Sequence, residues 1–382
     1  MKCIRSLILV LASASALGFL ALLSDTAEAL ETQAREAFLI DAGTGAVLLD
    51  KNSEVSMPPA SMSKIMTAFM VFERLKDGSL SLDDKLPVSE KAWRMGGSKM
   101  FVEVGDQIRV EDLLRGVIVQ SGNDACIVLA EALAGSEEAF AEQMTAKARE
   151  IGMTNSTFAN ATGWPDPNQR MTARDLATLA KRIITDHPEY YHYYSEKEFV
   201  WSDIRQGNRN PLLYKNIGSD GLKTGHTEEA GYGLTASAFQ NGRRLVLVVN
   251  GLGSQKERSA ESERLMSWGF REFGNYALFE AGETVDEAPV WLGAEKTVPL
   301  VVAEDLIVTL PRSVRNGMKV SVVYDSPIPA PVPSGLEIAR LRVSWPEGVP
   351  IEVPLMAGQD VEQLGPFGRI GASIKFLLLG TP

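Results

Sequence analysis

Strand-like runs lie at both ends of the first 273 residues, and helix-like runs fill the space between them. Near the start, Ala37–Ile40 and Ala46–Leu49 flank Gly43-Thr44-Gly45, the pattern of a hairpin. Near the end, Gly221–Thr224, Gly231–Ala238 and Arg244–Gly251 read as strands, followed by a helix over Lys256–Phe273. In between, apolar residues at helical spacing (Ile65, Phe69, Phe72, Leu75) predict a helix from about Ser61 to Lys76, capped near Gly78. Further helices are expected at Glu111–Gly116, Asp124–Ala134, Glu137–Ile151 and Ala173–Thr185. The last carries a capping-box pattern, Thr172-x-x-Asp175. Strands this far apart in sequence are best accommodated in one sheet covered by the intervening helices. The expected class is therefore α/β in the broad α+β sense.

After Gly274 the character changes. Val298–Val302, Leu306–Leu310, Lys319–Val323, Ala339–Ser344 and Ile351–Leu355 are short β-branched runs broken by Pro and Gly, which predicts a small all-β domain. The tail differs again: Phe367, Ile370, Ile374 and Leu377/Leu378 recur at helical spacing, with Arg369 and Lys375 among them. This is the pattern of a basic amphipathic helix lying on a membrane surface; Gly368 and Gly371 would make it marginal in water. A helix docked on the β domain is the alternative. At the other end, Lys2 and Arg5 precede an apolar stretch, Leu7–Leu23, and then Ala27-Glu28-Ala29, the layout of a cleavable export signal. The expected division is 1–29 signal peptide, 30–275 catalytic domain, 276–357 all-β domain and 358–382 tail.

Export with two cysteines, Cys3 and Cys126, leaves one in the mature chain and no internal disulfide; Cys126 is expected to be a buried packing residue. A formal net charge of −11 argues against nucleic acid as a partner. The chain has three histidines, with no H-E-x-x-H and no Cys/His cluster, so no metal or other cofactor is expected. His187 and His192 lie in a surface-like stretch and read as structural. There is no G-x-S-x-G elbow either.

Ser61-Met62-Ser63-Lys64 supplies an alternative nucleophile. At the start of a helix Ser61 and Lys64 share a face, so the amine can reach the hydroxyl. The positive end of the helix dipole, burial and a second cation would each disfavour the ammonium. A neutral lysine can then take the serine proton without a histidine. Alone, S-x-x-K occurs by chance about once or twice in a chain of this size. However, Ser121-Gly122-Asn123 follows between two helices, and Lys223-Thr224-Gly225 ends a strand. The order is that of the penicillin-recognising serine enzymes.

With their flanks, Pro59–Thr67, Val119–Cys126 and Gly221–Thr227, these motifs resemble the low-molecular-mass penicillin-binding proteins, the serine-type D-alanyl-D-alanine carboxypeptidases. The resemblance covers roughly Arg35 to Phe273 closely and includes Met100-Phe101, Gly105-Asp106, Thr172–Asp175 and Trp268–Phe270. It implies a penicillin-recognising transpeptidase/β-lactamase-like domain followed by the β domain and a C-terminal helix. It also implies a substrate ending in D-Ala-D-Ala, the stem peptide of peptidoglycan, with β-lactam antibiotics as covalent ligands, and a site on the outer face of the cytoplasmic membrane. By the same resemblance Ser61 forms the acyl-enzyme, Lys64 is its base and Ser121 relays a proton to the leaving amine. Asn123 holds the substrate amide and Lys64, while Lys223 and Thr224 line the strand that grips the substrate carboxylate. The backbone N–H groups of Ser61 and His226 form the oxyanion hole, and Arg209 is a candidate for the terminal carboxylate or else a structural arginine. A D,D-endopeptidase, a β-lactamase and a non-catalytic penicillin sensor share the apparatus. The loop Gly152–Met171, expected at the surface, has Asp166 as its only carboxylate and no glutamate, which counts against a class A β-lactamase.

Overall fold

The computed structural model describes residues 30–379. The expected signal segment, 1–29, lies outside the described residues. Five strands, β1 (Glu36–Asp41), β2 (Val47–Lys51), β3 (Ser219–Thr227), β4 (Gly231–Gln240) and β5 (Arg243–Leu252), form one antiparallel sheet in the order β2-β1-β5-β4-β3. The N-terminal hairpin thus pairs with a strand two hundred residues away: Leu39 lies opposite Leu247. In β5 every residue from Leu245 to Asn250 is buried, as expected where helices cover a sheet. Helices Ala173–Asp186 and Gln255–Glu272 both pack on this strand. Helices Lys64–Lys76, Val110–Ile118, Asn123–Ala134 and Glu137–Glu150 form the remaining core around Phe69, Phe72 and Phe140.

Three local expectations are corrected. Ser61 does not open the α-helix: Ala60–Ser63 is a 3-10 turn, and the α-helix runs from Lys64 to Lys76, with Asp77 as its C-cap. The Thr172 hydroxyl does accept from Asp175 N–H (3.1 Å), but the Asp175 carboxylate turns away and accepts from Asn155 N–H (3.0 Å) and Ser156 Oγ (2.6 Å). Half the capping box is diverted to pin the loop that follows Gly152. His187 is fully buried, edge-on to Phe69 with Nε2 3.0 Å from Glu73, so its role is structural but its place is the core; His192 does sit at the surface.

Besides short strand pieces such as Lys85–Pro87 and Glu198–Trp201, two long strands went unanticipated. Phe273–Phe279 leaves the catalytic unit and pairs with Leu306–Pro311, and Thr284–Trp291 joins the sheet beyond. That second sheet has six strands. Its strand Glu337–Ser344 alternates cleanly: Ala339, Leu341 and Val343 point inward while Arg340 and Arg342 face solvent and pair with Glu352. The last described element is a helix, Pro366–Leu379, with several apolar residues outward: Phe367 is 91% exposed, and Ile370, Ile374, Leu377 and Leu378 are exposed with it. Among the described residues no helix is long and apolar enough to cross a membrane.

Candidate active site

The 3-10 turn Ala60–Ser63 is wedged between strand β3 and the loop 152–171. Gly225 makes the close approach from β3, since a Cβ there would stand 2.8 Å from the Pro59 carbonyl oxygen. Gly163 makes it from the loop: its φ is +78°, and a Cβ would lie 2.0 Å from the Ala60 oxygen, so no larger residue fits. Ala60 itself has φ +48°, a left-handed conformation rare for a residue with a Cβ. Ser61 is thereby presented from a constrained turn into a cleft of about 350 Å³.

Beneath it Lys64, 1% exposed, places Nζ 2.9 Å from Ser61 Oγ, and the same nitrogen donates to the Thr162 carbonyl. Burial pulls the Lys64 pKa down to about 8 from an ordinary 10.5, and the Arg209 guanidinium adds to this against the opposite pull of Cys126 and Asp124. The dominant cause is thus desolvation, and the expected second cation is Arg209. The loop expected to be superficial closes this pocket: Thr67 Oγ1 donates to the Ala161 carbonyl, and Asn160 Oδ1 accepts from the N–H groups of Thr162, Gly163 and Trp164. Its one carboxylate, Asp166, instead accepts from Asn168 N–H (2.7 Å) within its own turn.

Across the cleft Ser121, at φ +62°, sits just before helix Asn123–Ala134. Lys223 Nζ lies 2.9 Å from Ser121 Oγ and donates to the Thr224 carbonyl at 3.2 Å. This second buried lysine is also held well below its usual pKa, by burial first and then by the charges of Lys64 and Arg209. Two serine–lysine pairs therefore face one space. Asn123 behaves otherwise than expected: its Nδ2 donates to the Gly96 carbonyl (2.8 Å), and no hydrogen bond to Lys64 is present among the described residues.

The cleft is lined by Ser61, Ser121, Thr224 and His226, with His226 stacked on Tyr232 at 3.9 Å. Arg209 lines it too, donating to Ser98 Oγ at 2.7 Å. Sequence reasoning missed Arg258, which is buried at the same wall, with a pKa brought down to about 10 by burial, and lies 5.8 Å from the Tyr232 ring. The signal was present: Arg258 shares a helical face with Ser262, Leu265 and Met266, where a solvated arginine does not belong. Two arginines lining the same cleft as a serine–lysine pair are chemically suited to acyl transfer from a substrate that carries a carboxylate. Cys126 is buried beside it, its thiol pushed up to about 12, and is packing rather than chemistry. No group of residues suited to a metal ion occurs among the described residues.

Residues 24–254 match the D-alanyl-D-alanine carboxypeptidase family, and residues 273–363 match the C-terminal domain of penicillin-binding protein 5. The D-alanyl-D-alanine carboxypeptidase DacC of Escherichia coli is 41% identical over 354 residues, 90% of this chain and 88% of that one. Penicillin-binding protein 5 from Haemophilus influenzae superimposes with a TM-score of 0.80 at 38% identity, covering 87% of this chain and 99% of that one. Penicillin-binding protein D2 from Listeria monocytogenes, solved in an ampicillin-bound form, superimposes at 0.58 with 32% identity, covering 63% and 98%. The chain belongs to the D-alanyl-D-alanine carboxypeptidase family and is a serine-type peptidase of that class.

Proposed function

We propose that this chain removes the terminal D-alanine from peptidoglycan stem peptides through an acyl-enzyme on Ser61, and that β-lactams acylate the same oxygen. The 2.9 Å approach of Lys64 Nζ to Ser61 Oγ carries the reading. With Lys64 neutral, the Thr162 carbonyl holds one of its N–H groups, and the amine's lone pair is free for the serine proton. Ser61 Oγ attacks the carbonyl carbon of the penultimate D-alanine, and its proton passes to Lys64. The N–H groups of Ser61 and His226 receive the developing oxyanion. Collapse breaks the C–N bond, and Ser121, held by Lys223, relays to the departing amine the proton that Lys64 took, which leaves Lys64 neutral again. Water then hydrolyses the ester and frees Ser61. Thr224, Arg209 and Arg258 take the terminal carboxylate, with two guanidiniums available for bidentate contact. Asn123 positions the amide on the acyl side. The confinement of Asp166 to its own turn supports a peptidase over an efficient β-lactamase. The division into catalytic domain 30–275, β domain 276–357 and tail 358–382 is part of the same proposal.

In the variant Ser61→Ala, released D-alanine and covalent penicillin labelling should both vanish while the circular dichroism spectrum is kept. Labelling that survives would remove Ser61 from the role. Location is a second part of the reading: export by the leader 1–29, and attachment to the outer face of the cytoplasmic membrane through the tail. Its support is the outward apolar face of helix Pro366–Leu379, with Arg369 beside it. A chain ended at Pro366 should keep full activity on a soluble peptide and leave anionic vesicles that the whole chain binds. Equal partitioning of the two chains would end the membrane reading.

A further inference from the structure

The loop of residues 95–106, between helix Glu90–Arg94 and strand Gln107–Arg109, reaches the cleft on one side and solvent on the other. Ser98 lines the cleft, and three residues on Phe101 stands 43% exposed between the buried Met100 and Val102. Phe101 adopts φ +70°, a left-handed conformation that a bulky side chain rarely takes. One group enforces it. The fully buried Asp124 carboxylate accepts the N–H groups of Met100 (2.8 Å), Phe101 (2.8 Å) and Val102 (3.3 Å). Asp124 directly follows Asn123, which holds the Gly96 carbonyl, so the second catalytic motif and this loop share one anchor. The aromatic ring is therefore fixed outward by the same residues that shape the site. Backbone strain over-determined in this way, at the edge of a cleft, points to use.

Phe101 is not alone. Trp93, in the short helix Glu90–Arg94 that precedes the loop, is 39% exposed, and Trp93, Arg94, Lys99, Phe101 and Glu103 line one shallow groove of about 370 Å³, with Arg94 paired to Glu90 and Lys99 Nζ donating to the Trp93 carbonyl. Scattered exposed aromatics need no explanation. Two of them around one groove, on a segment whose Ser98 lines the cleft and whose Lys99 lines the groove, do.

We propose that this groove binds the amino-sugar end of the substrate, the glycan to which the stem peptide is attached. The inference rests on the carboxypeptidase reading above. A pyranose ring has an apolar C–H face and a polar rim, which suits an aromatic surface bordered by hydrogen-bond donors. Reach agrees. Ser98 and Phe101 are three residues apart, so their Cα atoms are separated by at most about 11 Å. Three stem residues lie between the reacting D-alanine and the sugar, four steps that extend up to about 13 Å, enough to cover that distance. The groove then selects glycan-linked stems over free peptide.

The test compares D-alanine release from a free pentapeptide and from the same pentapeptide carrying its disaccharide. Wild type should favour the disaccharide form in kcat/KM by about tenfold, as the loss of one well-packed aromatic contact would predict. Trp93→Ala and Phe101→Ala should erase that preference while the free-peptide value stays within about twofold; Trp93→Tyr should restore it. Saturation-transfer NMR of the disaccharide tetrapeptide on the Ser61→Ala chain should show the sugar protons in contact, and that signal should weaken in Trp93→Ala. Equal kcat/KM for the two substrates in wild type, or NMR contacts confined to the peptide, would overturn the sugar site. Absence of D-alanine release from both substrates would instead strike the carboxypeptidase reading, and the NMR contacts would then decide the groove by themselves.

Discussion

In the catalytic cleft Lys64, Lys223 and Arg258 are buried, and Ala60 and Ser121 hold left-handed backbone beside the reacting groups. From Phe273 to Gln363, by contrast, the described residues bury one polar side chain, Thr309, over a core of Val, Leu, Ile and Ala. Both regions are sheets with buried apolar centres, so possession of a core does not distinguish them. The difference is electrostatic. A buried ammonium is costly to the fold, and the same cost lowers the lysine pKa and so suits it to act as a base. The β domain has no such task, and its interior follows simple alternation.

The comparison breaks most visibly at Lys64. Its pKa of about 8 lies below the unfolded value of 10.5, so the unfolded chain binds more protons between those limits. This group's contribution to stability is therefore lowest below pH 8 and rises between pH 8 and 10.5. Lys64→Met should cut acylation by about 10²–10⁴-fold. The same change should raise stability at pH 7 by up to about 3 kcal/mol, read by urea unfolding, since a shift of this size is worth that much. In the wild type, acylation should climb tenfold per pH unit below pH 8 and level off above it. A less stable Lys64→Met chain, or a flat acylation profile from pH 6 to 9, would show that burial of the ammonium is not the governing cost.

The reverse experiment lies in the β domain. Leu341 is fully buried between Arg340 and Arg342, which point outward. Leu341→Ala should cost about 2–5 kcal/mol through the cavity it leaves. Its kcat/KM on a free peptide should not change, because no residue of that sheet lines the cleft. One region would then lose activity and gain stability, and the other would lose stability and keep its activity. A fall in free-peptide activity with Leu341→Ala would mean that the two regions are mechanically coupled.

The same contrast explains what could be read from the amino acids. Alternation in Glu337–Ser344 and the apolar run of β5 declare their strands, because each residue answers only to burial. Three ordered motifs singled out Ser61, Lys64, Ser121, Lys223 and Thr224; Ser61, Ser121 and Thr224 line one cleft with His226 and Arg209, and each lysine lies within hydrogen-bond distance of one of these serines. Failures cluster where a distant partner decides. The α-helix begins at Lys64 because Gly163 and Gly225 clamp the preceding turn, and nothing local announces this. Loop 152–171 has turn-forming composition yet is drawn inward by the Lys64 ammonium and Thr67 hydroxyl seeking carbonyls. Arg258 was readable from its helical face but carries no motif, and Phe273–Phe279 was hidden by a helix pattern running into it.

The smallest expected effect tests how the two regions are joined. Thr309 donates to Asn275 Oδ1 at 2.9 Å, and its single hydroxyl hydrogen is then committed. Thr44, in the tip of the first hairpin, must therefore be the donor in its bond to Thr309 Oγ1. Elsewhere the join uses backbone acceptors: Arg243 Nη1 donates to the Phe273 carbonyl at 2.7 Å, and Arg312 Nε to that of Arg271 at 3.1 Å. Thr309→Val keeps the shape of the side chain and removes both hydroxyl bonds. The Thr44 hydroxyl is only partly buried and can turn to water, so the loss should be about 1 kcal/mol rather than the full cost of an orphaned buried donor. Its signature should be specific. Calorimetry should show the β domain melting earlier than the catalytic domain in Thr309→Val, with the catalytic transition and the free-peptide kcat/KM unchanged. A single unshifted transition would mean that the arginine contacts and the Phe273–Phe279 strand hold the domains together without the threonine pair.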